Sequence, residues 1–303
     1  MSPGSSHSLC LVGSRLSQPK IESLRAGLIA RGFGVGDSRW LSPHYALDLS
    51  VDMPGPLDCE TTAAVVRDVR RALPQIDVAL VANEHRAKSL LVADMDSTLI
   101  TSESIVEIAR AVGLEREVES LTSQAMRGRL GFVEALIDRL KLVVGVSVAA
   151  VEALGPAAVL SPGAARLCAT MAANGARLVM ASGGFTQIAD VVAARLGIHR
   201  VVANQLVVAD GQLTGGVHLP VVDGALKAEI LTEEMTAAGL ASTQVLAVGD
   251  GANDALMVRA AGLGVAYCGK PALQQVADAA INYTDLTTLL YFQGYDDSQF
   301  IQP

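Results

Sequence analysis

Apolar runs and polar breaks alternate along the chain in two rhythms, and the change of rhythm marks two units. In the first, LCLVGS at 9–14 is a short apolar run that predicts a strand. Residues 18–31 place Ile21, Leu24, Leu28 and Ile29 on one helical face, and Gly32 and Gly34 end that helix. Strands are expected near 35–42 and 45–52, a second helix over 60–72, and a closing strand in IDVALVA at 76–82. The order β-α-β-β-α-β is a split βαβ arrangement. NEHRAKS at 83–89 reads as a polar linker, so the first domain is expected over 1–85 and the second over 86–303.

The second unit has a longer period. Strand-like runs stand at LLVAD (90–94), RLVMA (177–181), QVLAVGD (244–250) and GVAYC (264–268), with helical stretches between them. That alternation predicts an α/β fold on a parallel sheet. The mostly helical segment at about 103–160 is expected to form a cap inserted after the first core strand. Residues 201–222, with Gly211 and the Gly215-Gly216 pair, read as a hairpin, and YFQGYDDSQFIQP at the C-terminus reads as surface.

Composition narrows the classes. Half of the 303 residues are hydrophobic and 18% are charged, which excludes a disordered chain. The net charge of −8 argues against nucleic acid as a partner, because neutralising phosphate backbones needs a basic face. Cys10, Cys59, Cys168 and Cys268 are scattered without a CxxC, as in a reduced, cytoplasmic protein without zinc. The N-terminus lacks the pattern of a signal peptide. The most membrane-like stretch, 140–160, is broken by Lys141, Glu152 and Pro156, so no membrane association is expected.

Three apolar runs end in chemistry, and ligands of open α/β sheets sit at the carboxyl ends of strands. Asp94 and Asp96 are two carboxylates at i and i+2, a costly pair to bury without a shared cation or proton. Ser182-Gly183-Gly184 offers a hydroxyl and backbone N–H groups to an anion. Asp250 ends a strand, and Asp254 follows one helical turn later, an oxygen-only set suited to Mg²⁺. Lys227 is a lone lysine among apolar and small residues. Each has a plain alternative: a helix cap, a Gly-rich turn, an Asp-Gly turn, a solvated helix face. Together they suit one reaction, moving a phosphoryl group from an ester to a carboxylate and then to water.

DMDSTLI, ASGGF, Lys227 and GDGANDALM, in this order and spacing, resemble the haloacid-dehalogenase-like (HAD) phosphohydrolases over about residues 89–285, most closely the phosphoserine-hydrolysing branch. The DxD pair sets the chain apart from the dehalogenases proper, and DMDST from the DKTGT of transport ATPases. The resemblance implies a Rossmannoid core with a helical cap. It implies Asp94 as nucleophile, and Asp96 as acid and base with its backbone carbonyl on Mg²⁺. Asp250 would complete the metal ligands, with Asp254 close behind. Ser182, Gly183 and Lys227 would hold the phosphoryl oxygens and Asn253 orient them. Glu103, nine residues after Asp94, matches the acid facing a substrate ammonium; a first-turn glutamate favoured by the helix dipole is its plain alternative. Arg139 matches the partner of a substrate carboxylate, and Met126 and Phe132 match apolar residues closing over the site. Arg129 and Gly131 stand where the family often has acidic residues, which implies altered cap closure.

The implied activity is Mg²⁺-dependent hydrolysis of L-phosphoserine to L-serine and phosphate, the last step of serine biosynthesis. Phosphohomoserine, phosphothreonine or a sugar phosphate are the rival substrates, and an amino-acid sensor with a vestigial core is the rival of another class. The first unit is similar in topology to ferredoxin-like, ACT-type amino-acid-sensing domains, which implies regulation or homodimer formation through it. All of this requires Asp94 and Asp250 to lie close enough to share one ion.

Overall fold

A computed structural model describes residues 6–14, 16–52, 59–126 and 132–302, with backbone alone for 59–63, 119, 122–126 and 132. The first unit comprises β1 (His7–Val12), α1 (Gln18–Ala30), β2 (Gly34–Ser42), β3 (Ala46–Asp52), α2 (Cys59–Ala72) and β4 (Asp77–Ala82). Its strands lie in the antiparallel order β2-β3-β1-β4, the ferredoxin-like order that the alternation predicts. Ile21, Leu24 and Leu28 of α1 bury against Leu9, Leu11, Leu47 and Leu49 of the sheet. Ile29 does not join them and is 57% exposed. At 100° per residue it falls well off the stripe that the other three define.

The core begins with β5 (Leu90–Ala93), followed by α3 (Ser104–Arg110), α4 (Glu115–Met126) and α5 (Phe132–Leu142), which form the cap. Next come α6 (Val148–Glu152), α7 (Leu154–Ala157), α8 (Ala164–Ala173), β6 (Arg177–Phe185), α9 (Thr186–Leu196), β7 (Arg200–Asn204), β8 (Leu206–Ala209) and β9 (Gln212–Val217). The chain ends with α10 (Gly224–Ala238), β10 (Val245–Gly249), α11 (Ala255–Ala260), β11 (Leu263–Tyr267), α12 (Pro271–Gln274), β12 (Ala279–Ile281) and α13 (Thr288–Phe292). Strands β12-β11-β10-β5-β6-β7 are all parallel; β5, β10, β11 and β12 are buried throughout and correspondingly apolar, while the edge strand β7 is only partly buried.

Several expectations need correction. Residues 200–204 join the main sheet as β7, and only 206–217 form the hairpin. Helices α6 and α7 lie in the segment expected as cap but pack on α9, with Gly155 against Val191. The C-terminal aromatics are not surface: Tyr291, Phe292 and Tyr295 are buried in the main core. They share one buried cluster with Cys10 and Val12 of β1, a placement that a polar reading of the tail overlooks.

The two units share one sheet. β4 pairs antiparallel with β12 through Val78 and Ala280, giving ten continuous strands. Asp77 accepts backbone bonds from Asn282 (2.8 Å), Tyr283 (3.1 Å) and Thr284 (2.9 Å) and a hydroxyl bond from Thr284 (2.6 Å). The linker is anchored too. Arg86 forks onto Asp48 at 2.5 and 2.6 Å and donates from Nε to the Phe292 carbonyl at 2.9 Å. Lys88 is buried and donates to the carbonyls of His85 and Thr243. A bidentate pair this far from water is costly to halve. Asp48→Ala is therefore expected to lower the unfolding free energy by about 3 kcal/mol in urea melts. A loss below about 1 kcal/mol would mark the pair as solvated.

Candidate active site

β10, β5 and β6 run side by side in register, Val248 beside Ala93 and Ala93 beside Met180. Their carboxyl ends therefore deliver Asp250, Asp94 and the Ser182 loop to one place. Asp94 is buried, and its Oδ1 accepts from the Met95 N–H at 2.7 Å. Lys227, on α10, is 0% exposed, so the solvated-face alternative is excluded. Its Nζ lies 2.9 Å from Asp94 Oδ1 and 2.7 Å from Asp254 Oδ1. Burial works against that charge, but Asp254 and Asp94 outweigh it and hold the lysine pKa above its ordinary value.

Asp254 turns its other oxygen to the backbone N–H groups of Asp250 (3.1 Å) and Gly251 (3.0 Å). A Cβ on Gly249 would overlap that carboxylate, which explains the glycine at the strand end. Oxygens of Asp94, Asp250 and Asp254 all lie within 4.8 Å of one another, so the shared-ion condition is met. Burial, then the charge of Asp254, raises the Asp94 pKa well above the carboxylate range. Burial likewise brings Asp250 to about 6 despite Lys270. A buried, oxygen-only cluster with surplus negative charge fits a hard divalent cation.

Asp96 lies apart from that cluster. Its oxygens accept from the Ser104 hydroxyl (2.6 Å) and N–H (2.9 Å) at the start of α3. The metal contact expected of it is through its backbone carbonyl, so the side chain is free for other work. Burial, then the nearby Glu103, raises its pKa to about 7, a value suited to giving and taking a proton. Glu103 is held by the Ser97 hydroxyl at 2.7 Å, and Ser97 has a left-handed φ of 53°.

β6 runs on past Ala181 to Phe185, with an irregularity against β7: Ser182 faces Ala203 and Phe185 faces Asn204. The two glycines bulge out of the ladder toward the site. The Ser182 Oγ accepts from the Gly184 N–H at 2.9 Å. A Cβ on Gly184 would come within 2.7 Å of Met95 Cε and 3.1 Å of the Ser104 and Ser182 hydroxyls, so crowding dictates glycine there.

A cavity of 760 Å³ opens above these groups. Asp94, Asp96, Gly183, Asp250 and Asn253 line its core side, and Glu103, Leu136 and Arg139 its cap side. Ser182, Lys227 and Asp254 are buried and do not line it. The side chains of Met126 and Phe132, and all of Arg129 and Gly131, lie outside the described residues. Lys270 was missed from the sequence. Its Nζ donates to Asp250 Oδ2 at 2.9 Å and its N–H to the Asp250 carbonyl at 2.8 Å. Its signal was positional: it follows the end of β11, a fourth strand end beside the three that were read. Ser104 had no signal beyond its place at a helix start.

Residues 91–259 match a family described as haloacid dehalogenase-like hydrolase. The chain is 42% identical to a phosphoserine phosphatase of Streptomyces coelicolor over 72% of this chain and 54% of that protein, so it spans about half that relative's length. It is 35% identical to phosphoserine phosphatase SerB2 of Mycobacterium tuberculosis over 96% of this chain and 71% of the relative. A solved structure described as a phospho-aspartyl intermediate analogue of phosphoserine phosphatase superposes with a TM-score of 0.65 at 37% identity, covering 68% of this chain and 98% of that one.

The raised carboxylates carry a pH signature. Groups whose folded pKa exceeds the unfolded value stabilise the fold at low pH, and that contribution is lost as pH rises through the folded pKa. For Asp250 the window runs from the ordinary Asp range to about 6. A cation takes the proton's place above it. Thermal melts with and without a magnesium salt are expected to show little difference at pH 5 and a clear rise in Tm at pH 7.5. An equal rise at both values would contradict the cluster's raised pKa values.

Proposed function

The chain belongs to the haloacid dehalogenase-like hydrolases, and from that premise we propose that it hydrolyses L-phosphoserine to L-serine and phosphate, using Mg²⁺. The observation that carries the substrate choice is the cavity itself, with Glu103 and Arg139 on its cap side across from the Asp94 cluster. An α-amino acid carries one charge of each sign and needs both partners, and a planar guanidinium suits its carboxylate.

Asp94, Asp250 and the Asp96 carbonyl would hold the ion, with Asp254 behind them. When bound, Mg²⁺ supplies the positive charge that lets a phosphate dianion approach carboxylates. The Ser182 hydroxyl and Gly183 amide bind the phosphoryl oxygens, Asn253 orients them, and Lys227 offsets further charge. The Asp94 carboxylate attacks phosphorus, and the bond to the serine oxygen breaks as Asp96 gives that oxygen a proton. Asp96, now a carboxylate, takes a proton from the water that opens the aspartyl-phosphate, and phosphate leaves. A pKa near 7 equips Asp96 for both halves.

The same reading assigns residues 86–303 to catalysis on a free small molecule in the cytoplasm, as the last step of serine biosynthesis. Met126 and Phe132 would close over the substrate. Residues 1–85 would be an ACT-like unit that either regulates the enzyme or pairs two copies of it. Among the described residues no helix is long and apolar enough to cross a membrane.

Phosphate release from L-phosphoserine is expected in the presence of Mg²⁺ and its loss in EDTA. Asp94→Asn is expected to cut kcat by at least ~1,000-fold with an unchanged fold by circular dichroism; wild-type turnover in that variant would refute the nucleophile assignment. Arg139→Ala should lower kcat/KM for L-phosphoserine by about 30-fold, the loss of a charge-assisted contact, yet barely affect p-nitrophenyl phosphate. Equal losses on both esters would remove Arg139 from substrate recognition.

A further inference from the structure

The phosphate loop and the buried lysine come from different segments, and one side chain joins them. Asn204 is the last residue of β7, is 1% exposed, and uses both ends of its amide. Its Nδ2 donates to the Gly183 carbonyl at 2.8 Å, and its Oδ1 accepts from the Val222 N–H at 2.9 Å. A carboxamide can donate and accept at once, which a carboxylate of the same shape cannot.

The first bond pins a peptide plane. The Gly183 carbonyl and the Gly184 N–H belong to one peptide unit and point in opposite directions. Asn204 holds the carbonyl, and the N–H is directed at the Ser182 Oγ at 2.9 Å. Occupying that oxygen's acceptor side leaves the hydroxyl proton to donate elsewhere. The second bond acts on the lysine. Val222 precedes Asp223, whose side chain caps α10 by accepting from Leu226 N–H at 2.9 Å. Lys227 stands in the first turn of that helix.

We propose that Asn204 is a positioning residue for phosphoryl binding, fixing through the Gly183–Gly184 peptide the hydroxyl of Ser182, and through Val222 the start of the helix that carries Lys227. No signal in the sequence marked it; it becomes visible only where β6 and β7 meet. The proposal rests on the reading of Ser182 and Gly183 as phosphoryl ligands, and its test separates the two.

Inorganic phosphate is titrated calorimetrically into the 303-residue chain with Mg²⁺ present, for the wild type, Ser182→Ala, Asn204→Ala and Asn204→Asp. Ser182→Ala tests the underlying reading and is expected to weaken phosphate binding. Asn204→Asp keeps the acceptor for Val222 but sets a carboxylate against the Gly183 carbonyl. Asn204→Ala removes both bonds without adding charge and carries the test if the aspartate variant does not fold. Both Asn204 variants are expected to weaken phosphate binding by about tenfold, with the Mg²⁺-induced rise in Tm retained because no carboxylate of the cluster is replaced. Phosphate affinity within twofold of wild type in either folded Asn204 variant, when Ser182→Ala weakens it, overturns the proposal and leaves the ligand assignment standing. Unchanged affinity in Ser182→Ala as well overturns both. A lower Tm with unchanged phosphate affinity would reduce Asn204 to packing.

Discussion

The site is organised around the Lys227 ammonium, which lies in the interior with no access to water. Removing such a charge from solvent costs several kcal/mol, and only close, well-directed anions offset it. Asp94 and Asp254 do so at 2.9 and 2.7 Å. Because the three groups come from the residue after β5, from α10 and from the turn after β10, the ion triad fastens three separate segments at the sheet's carboxyl edge. Its geometry also leaves work undone. Lys227 and Lys270 together still leave three clustered carboxylates with surplus negative charge, and burial first, then that surplus, raises the pKa values of Asp94 and Asp250. A cluster held in this state by the fold is built to receive further positive charge.

The sheet supplies the rigid frame for that triad. Parallel strands in register set the positions of Asp94, Ser182 and Asp250 to within a residue's rise, and glycine at 184 and 249 lets side chains approach where a Cβ would block them. The same sheet runs without interruption into the first unit. Asp77 bonded to residues 282–284, and Arg86 joined to Asp48 and to the C-terminal helix, make that unit a lateral extension of the core rather than a tethered appendage. Beside that junction, β11 leads to Lys270, which grips Asp250. The cap opposes this edge with Glu103 and Arg139, so the cavity has one crowded anionic wall and one wall of mixed sign.

Reading from sequence succeeded where periodicity and spacing are local. The first unit's six elements, the four core strands that were read and the order of the strand-end motifs were all legible, because apolar alternation and glycine punctuation report on neighbouring residues. Strands β7 and β12 escaped notice for the same reason: RVVAN merges into the hairpin that follows it, and AAI is too short to show a period. The tail was misjudged because its tyrosines and polar residues look surface-bound until β1 and α8 pack against them.

Residue identities alone thus determined the α/β class and singled out the strand-end candidates Asp94, Asp96, Ser182, Lys227 and Asp250, since those side chains have few other uses in that order. The partnerships were decided only by folding. Asn204 meets Gly183 across 21 residues, Lys270 meets Asp250 across 20, and Arg86 meets Asp48 across 38. Such pairs leave no periodic trace, because a hydrogen bond between distant segments depends on how strands are ordered in the sheet, and strand order is fixed by packing of the whole chain.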